Sequence, residues 1–458
     1  MVTCCRSRFT CWGDCDCFQR QRKKLDFFFM KKTVLKIKKF FKIFGPGVIT
    51  GAADDDPSGI ATYTQTGAKF GYGQLWTVIV MLPLMTAIQE ACARIGAVTG
   101  HGLASVIKAN YSKKVLYAAV LLVIIANTIN IGADIGALAA AAQLLIPVSF
   151  VILTLGFTIL ILILEIFTSY KVYSRILKWL AMTLLAYPLT VFIISQPWKT
   201  IFVATFWPHV ELNFEFFFII TGVLGTTISP YMFFWQASEE VEEEKEQHLI
   251  HRYGKPKISA LFIRNLRLDN FMGMVFSEIA TWSIIVVAAT VLHQNGITDV
   301  ATAADAAKVL EPLVHTFPHS GLLAKMIFAF GIIGLGLLGI PVLSGSAAYA
   351  YSEAFNMKEG LNLKLKKAHG FYGVITIATL IGLMINFIGI DPIKALVFTA
   401  VFNGVAAVPL IFLIARIARN RKVMGDYRSG WLSNTVVWIT FVVMLASAVA
   451  MFYTLARG

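Results

Sequence analysis

The chain has 458 residues, of which 57% are hydrophobic and only 14% charged, with a mean hydropathy of +0.70. No soluble domain of this size is so apolar, so the composition excludes a water-soluble globular protein and points to a polytopic membrane protein. A net charge of +14 could suit a polyanion binder, but the Lys and Arg residues gather in short loops between apolar runs. That distribution is membrane topology, and it argues against nucleic acid as a partner.

The first 43 residues read as a basic, Cys-rich extension. Five of the six cysteines (Cys4, Cys5, Cys11, Cys15 and Cys17) fall within it, at spacings that fit no zinc pattern. No long apolar core with a small-residue cleavage site marks a secretory signal. The expectation is a disordered extension or an over-called start, with Met30 and the following KKTVLKIKKFFKIFGPG as the native amino terminus. Cys92 stands alone in an apolar run, where a thiol serves packing.

Apolar runs of bilayer length recur about eleven times, with cores near 45–67, 75–98, 115–144, 146–167, 176–195, 216–238, 268–293, 322–353, 371–390, 393–416 and 431–455. Several exceed the minimum span, which implies tilt. Basic residues mark alternate loops: Lys36 to Lys42, Lys108 to Lys114, Lys171 to Lys178, Lys255 to Arg267, Lys364 to Lys367, and Arg416 to Lys422. The opposite loops hold little beyond Lys69 and Lys199. This bias places the amino terminus in the cytoplasm of a cell (inner) membrane, and an odd number of spans places the carboxyl terminus outside. The run Glu239, Glu240, Glu242, Glu243, Glu244 and Glu246 follows the sixth span and reads as a solvated helix end. Attraction of cations toward an inner vestibule is the second reading.

Spans one and six are both interrupted. The first reads GPGVITGAADDDPSGIATYTQTG and the sixth TGVLGTTISPYMFFWQAS, with prolines at 57 and 230. Proline removes a backbone donor and clashes with the preceding turn, so each helix breaks there. Ionised groups at membrane depth cost roughly 2.5 kcal/mol or more each, and persist where function or pairing requires them. Carboxylates beside freed carbonyls describe a hard-cation site, and paired breaks in two halves point to a transporter of inverted repeats. Asp56 sits at the first break and is the natural ligand. Asp54 and Asp55 are metal candidates with it, as are Gly59 and the residues of the second break. The two acids leave the same turn on other faces, so only part of the triplet contacts one ion, and one of the pair is expected to line the outer or inner approach. A hydrated vestibule or burial among donors is the other reading. The matching break brings Thr226, Thr227 and Ser229.

The stretches GPGVITGAADDDPSG, GTTISPYMFFWQAS, FGIIGLGLLGIPVLSGSAAYAYSEAF and NGVAAVPL…RKVMGDYRSGWLSN together resemble the NRAMP family of divalent metal transporters, from about Phe44 to Phe452. The resemblance implies an all-α, LeuT-type fold: two inverted five-helix repeats, here 44–195 and 216–418, plus an eleventh helix in 430–458. It also implies a secondary transporter, not an enzyme, with no cofactor beyond the transported ion.

The departures from the family pattern share one chemical direction. The family's Asp-Pro-Gly-Asn reads Asp56-Pro57-Ser58-Gly59, so the acid stays and the amide is lost at Gly59. Met-Pro-His becomes Ser229-Pro230-Tyr231, a second histidine becomes Gln236, and Asp-x-x-Glu becomes Asp134-Ile135-Gly136-Ala137. Thioether ligands favour softer metals, whereas oxygen-only surroundings suit Mg²⁺ or Mn²⁺. A roomier site suits Mg²⁺, which keeps several waters. The lost histidines and glutamate are the groups best placed to relay protons. The pattern is similar to the NRAMP-related magnesium transporters, which implies uncoupled import of Mg²⁺, Mn²⁺ or both; a monomer is expected. The alternatives are a proton-coupled Mn²⁺/Fe²⁺ transporter and an intramembrane Mg²⁺-dependent enzyme. Asp134, Asn130, Asn403, Tyr231 and Gln236 are secondary ligand candidates, while Asn127 serves coordination or helix pairing. Ser344 and Ser346 read as caps or hinges. Glu90, Glu165, Glu278 and Glu353 are expected at the membrane interfaces.

Overall fold

A computed structural model describes residues 46–168, 181–246, 248–249, 256, 258–314 and 319–457. The expectations for 1–43, and for Lys171, Arg175, Lys178, Lys255 and Lys257, lie outside these residues. The described chain is helical. It opens with α1 (Pro46–Asp54), α2 (Pro57–Phe70), α3 (Trp76–Thr99), α4 (Leu103–Asn110), α5 (Lys113–Gln143) and α6 (Phe150–Phe167). Then come α7 (Ala186–Ile193), α8 (Trp198–Phe206), α9 (Phe214–Thr227), α10 (Pro230–Glu246) and α11 (Ala260–Val291). The last are α12 (Ala303–Lys308), α13 (Ser320–Phe355), α14 (His369–Ile385), α15 (Pro392–Arg419), α16 (Arg421–Met424) and α17 (Trp431–Arg457).

Eight described segments are long and apolar enough to cross a membrane, with α9 and α10 counted as one. They coincide with eight of the eleven expected spans. The ninth is the shorter apolar α14, the first is split into α1 and α2, and the fifth is described only from residue 181. The short helices α4 and α8 were not anticipated, because their few residues lie inside stretches read as loops.

Caps and small residues set the geometry. Ser112, Asn213 and Asp391 cap α5, α9 and α15 through their side-chain oxygens, and Pro392 follows the last of them at the first helical position. Glycine permits two close crossings. A Cβ at Gly51 of α1 would meet the Gly273 backbone of α11 at 2.4 Å, and one at Gly225 of α9 would meet Ala400 O of α15 at 2.1 Å. The central elements α9 and α10 are buried along most of their length, whereas α6 and α17 expose apolar side chains to the surroundings.

One expectation about acids is corrected. Glu239, Glu240, Glu242 and Glu244 do not end a solvated helix; all four are buried, because α10 packs on α1, α3, α4 and α13 along its length. Glu90, Glu165, Glu278 and Glu353, expected near the span ends, are each buried within the protein. Glu90 takes Arg94 at 2.8 Å on its own helix and Arg267 at 2.8 Å from α11, and Arg94 also donates to Tyr427 O at 2.6 Å. Ser344 donates to Glu165 at 2.6 Å, and Glu353 accepts the Ser105 amide at 2.8 Å. Ser346 donates to Tyr231 O at 2.8 Å and Asn127 to Leu343 O at 2.8 Å, so both tie helices together. Cys92 is fully buried, in line with its packing role.

Candidate metal site

The residue between the first two half-helices fixes both. Asp56 has extended backbone (φ −61°, ψ 175°) and is the N-cap of α2, its Oδ1 accepting the Gly59 amide at 2.9 Å and the Ser58 hydroxyl. Such a cap satisfies an orphan N–H and stabilises a helix by about 1 kcal/mol. Pro57 at the first helical position has no N–H to satisfy. One short motif therefore stops α1 and starts α2. Oδ2 faces the other way, toward Asn130 Nδ2 at 3.1 Å and the Tyr231 hydroxyl at 3.4 Å.

Asn130 and Asp134 lie one turn apart on α5, and Asn130 Nδ2 also donates to Asp134 Oδ2 at 3.3 Å. A single amide thus bridges carboxylates from two helices, both fully buried. Asn403 of α15 closes the cluster, donating to Asn130 Oδ1 at 3.4 Å. Asp134 Oδ1 and Asn403 Oδ1 have no hydrogen-bond partner among the described residues. No Lys or Arg forms an ion pair with Asp56 or Asp134 among the described residues. Two carboxylates buried without a counterion favour any positive species that can reach them. Gly339 of α13 forms the facing wall, since a Cβ there would stand 3.1 Å from Asp56 Cβ. Sequence reasoning missed this residue, although the run FGIIGLGLLG signalled a close approach.

The second break abuts the first. α9 ends at Thr227, whose Oγ1 donates to Val223 O at 2.9 Å. Ser229 Oγ lies 2.6 Å from Gly225 O and 2.7 Å from Thr226 O. Its hydrogen goes to the helix end, so only its lone pairs are open to another partner. Thr226 Oγ1 is 3.4 Å from Ser58 Oγ, and Thr227 Oγ1 is 2.9 Å from the Tyr63 hydroxyl. A Cβ at Gly59 would meet Asp54 O at 3.1 Å and Thr226 Oγ1 at 3.3 Å, so glycine lets the breaks close on each other. Tyr231 donates to Ala53 O at 3.0 Å. The carboxyl ends of α1 and α9, each with partial negative charge, meet at this junction.

The aspartate triplet divides between two neighbours. Asp54 accepts the Ser277 hydroxyl and Asp55 the Thr281 hydroxyl at 3.3 Å, both from α11, while Asp56 turns to α5. Of the two readings open for Asp54 and Asp55, burial among donors is the one observed. Glu278, also buried, lies beside Asp55. Ser277, Thr281 and Tyr63 carried no sequence signal beyond hydroxyls in an apolar run. Gln236 bonds to Thr50 and, at 2.8 Å, to Glu240 rather than to Asp56. Among the described residues, no three His, Cys, Asp or Glu side chains converge to chelate an ion. The cluster therefore offers two carboxylates supplemented by amide, hydroxyl and carbonyl oxygens, a donor set for a hard cation that keeps part of its water.

Residues 47–454 match the family described as natural resistance-associated macrophage protein-like, Nramp. Similar proteins include the divalent metal cation transporter MntH of Caldanaerobacter subterraneus subsp. tengcongensis, 24% identical over 92% of this chain and 95% of that one. MntH of Klebsiella pneumoniae subsp. pneumoniae is 28% identical over 84% and 87% of the two chains. Among solved structures, the Eremococcus coleocola manganese transporter superposes with a TM-score of 0.72 at 16% identity, over 91% of this chain and 87% of that one. MhsT in complex with L-phenylalanine follows with a TM-score of 0.59 at 13% identity, over 89% and 98%. These superpositions bear out the expected all-α LeuT-type fold, and the relatives are transporters rather than enzymes. The chain is a member of the Nramp family.

Proposed function

We propose that this protein is a secondary transporter that imports divalent cations, Mg²⁺ and Mn²⁺ foremost, without coupling to protons. One observation carries the reading: Asp56 and Asp134, buried without a counterion, are bridged by one amide where two interrupted helices meet. The Asn130 Nδ2 stands where positive charge is wanted, and a half-turn of that amide would present an oxygen to an arriving ion. Membership in the Nramp family and relatives named divalent metal cation transporters support the substrate class.

The preference for Mg²⁺ and Mn²⁺ rests on the donors. The partners of the Asp56 carboxylate are the Ser58 and Tyr231 hydroxyls and the Gly59 and Asn130 amides, with no thioether among them. Oxygen donors favour the hard ions. Absence of coupling rests on the residues replaced: Gln236 and Tyr231 stand at the family's histidine positions and Ala137 at its glutamate. An inside-negative potential contributes about 4.6 kcal/mol per 100 mV to a divalent ion, from roughly 2.3 per charge, which suffices for uncoupled uptake.

In this reading Asp56, Asp134, Asn130 and Asn403 hold the ion, with Thr226, Thr227, Ser229, Gly59 and Tyr231 shaping the junction. Asp54 and Asp55 steady α1 against α11. Residues 44–195 and 216–418 form the inverted repeats and 430–458 the additional helix, in a monomer with a cytoplasmic amino terminus. Metal flux into liposomes tests it, with Mg²⁺, Mn²⁺ and Ca²⁺ offered to the parent and to Asp56→Ala. Saturable flux of Mg²⁺ and Mn²⁺, lost in the variant and unaccompanied by lumen acidification, is expected. Stoichiometric acidification would refute uncoupled transport, and undiminished flux through Asp56→Ala would refute the site.

A further inference from the structure

Resting on the metal-transport reading, we propose that Glu240 and Glu244, with Asp269 opposite, form the track along which the cation leaves the central junction, closed at its junction end in this structure by α1. Gln236, Glu240 and Glu244 recur every fourth residue, so they line one face of α10. At 1.5 Å of rise per residue they stand about 9, 15 and 21 Å from the break at Pro230, steps of about 6 Å leading away from Asp56.

All three side chains are buried. Glu244 is 0% exposed, and neither of its carboxyl oxygens has a hydrogen-bond partner among the described residues. Glu240 accepts from Gln236 at 2.8 Å and lies in the field of Glu243, Asp269 and Glu244. Lys245, the basic residue of this helix, is committed to Glu242 at 2.9 Å. A folded protein does not gain stability from burying carboxylates in this way. Their presence is explained if the strip is wetted during the cycle and carries cations then.

The half-helix that ends at the metal junction, α1, holds the strip at Gln236 and holds Asp269 opposite it. Thr50 of α1 donates to Gln236, and the Gly47 amide donates to Asp269 Oδ2 at 2.8 Å. Tilting α1 away breaks these two contacts and hydrates the end of the strip beside the junction. Anionic walls raise the local cation concentration by about tenfold or more. With no three acids converging to chelate, the ion passes along single carboxylates instead of being trapped.

The test is Mn²⁺ flux through the full-length protein in liposomes, set beside Mn²⁺ affinity of the same protein in detergent. Glu240→Gln combined with Glu244→Gln is expected to lower flux about tenfold while leaving affinity within about twofold of the parent. The charge-retaining pair Glu240→Asp and Glu244→Asp should restore at least about half of the flux, which a purely structural role would not require. Flux within about twofold of the parent in the Gln pair overturns the proposal. Should the pair fail to fold, Glu244→Lys alone at the far end of the strip decides: near-abolished flux supports the track, and parental flux overturns it. A parent that moves no Mn²⁺ at all would instead count against the metal-transport reading.

Discussion

Replacing Asp134 by Asn removes one of the two buried carboxylates while keeping its shape and its ability to accept from Asn130, which now bonds it at 3.3 Å. For a divalent ion held between Asp56 and Asp134 through one retained water, a distance of about 5 Å from the Asp134 charge sets the scale. At that distance Coulomb's law gives about 1.7 kcal/mol in water and about 6.6 kcal/mol at the effective dielectric of 20 suited to protein sites. An ion that keeps part of its hydration shell lies toward the lower bound, so the variant should lose about 2–3 kcal/mol of binding free energy. That corresponds to an affinity about 30- to 150-fold weaker. Calorimetric titration of Mn²⁺ into purified protein measures it, with the chromatographic profile as the check on folding. A dissociation constant within about threefold of the parent would show that Asp134 does not face the ion, and would dismantle the paired-carboxylate site.

Other positions respond in distinct ways. Gly51→Ala places a methyl 2.4 Å from the Gly273 backbone, so α1 must shift, and thermal melting in detergent should report about 1–3 kcal/mol of lost stability. Arg94→Gln leaves part of the buried Glu90 charge uncompensated and should cost about 3–5 kcal/mol, more than Arg267→Gln, because the Arg94 side chain is 0% exposed and that of Arg267 54%. Glu359, in the loop after α13, is pushed up to about 9 by burial and then by the nearby Glu353 carboxylate. Its folded-state value is raised, so its contribution to stability is complete below the ordinary carboxylate range and lost as pH climbs toward 9. Melting temperature should therefore fall across that window in the parent and fall less steeply in Glu359→Gln.

Hydropathy exposed most of the fold in the sequence because lipid imposes length and composition on every spanning helix. Proline located both breaks, with carboxylates beside the first alone, since only a protected interior tolerates freed backbone there. The pairing of Asn130 with Asp134 was visible as a one-turn spacing. What spacing could not convey was direction. Adjacent residues of a turning chain diverge, so Asp54 and Asp55 met Ser277 and Thr281 while Asp56 met Asn130. The acidic run on α10 misled for the same reason: its charge density implied water, and only the packing of α1, α3, α4 and α13 around it reveals a buried strip. Gly339 escaped notice because a missing side chain has no chemistry of its own, only the space it leaves for Asp56.

The most direct measurement is the position of a bound ion, located by anomalous scattering from crystals grown with Mn²⁺. A single dominant peak within about 2.0–2.2 Å of an Asp56 oxygen, on the side of Asn130 and Asp134, is the predicted result. A dominant peak elsewhere, or an Asp56→Ala protein that retains the peak in place, would contradict a cation site at the meeting of the two broken helices.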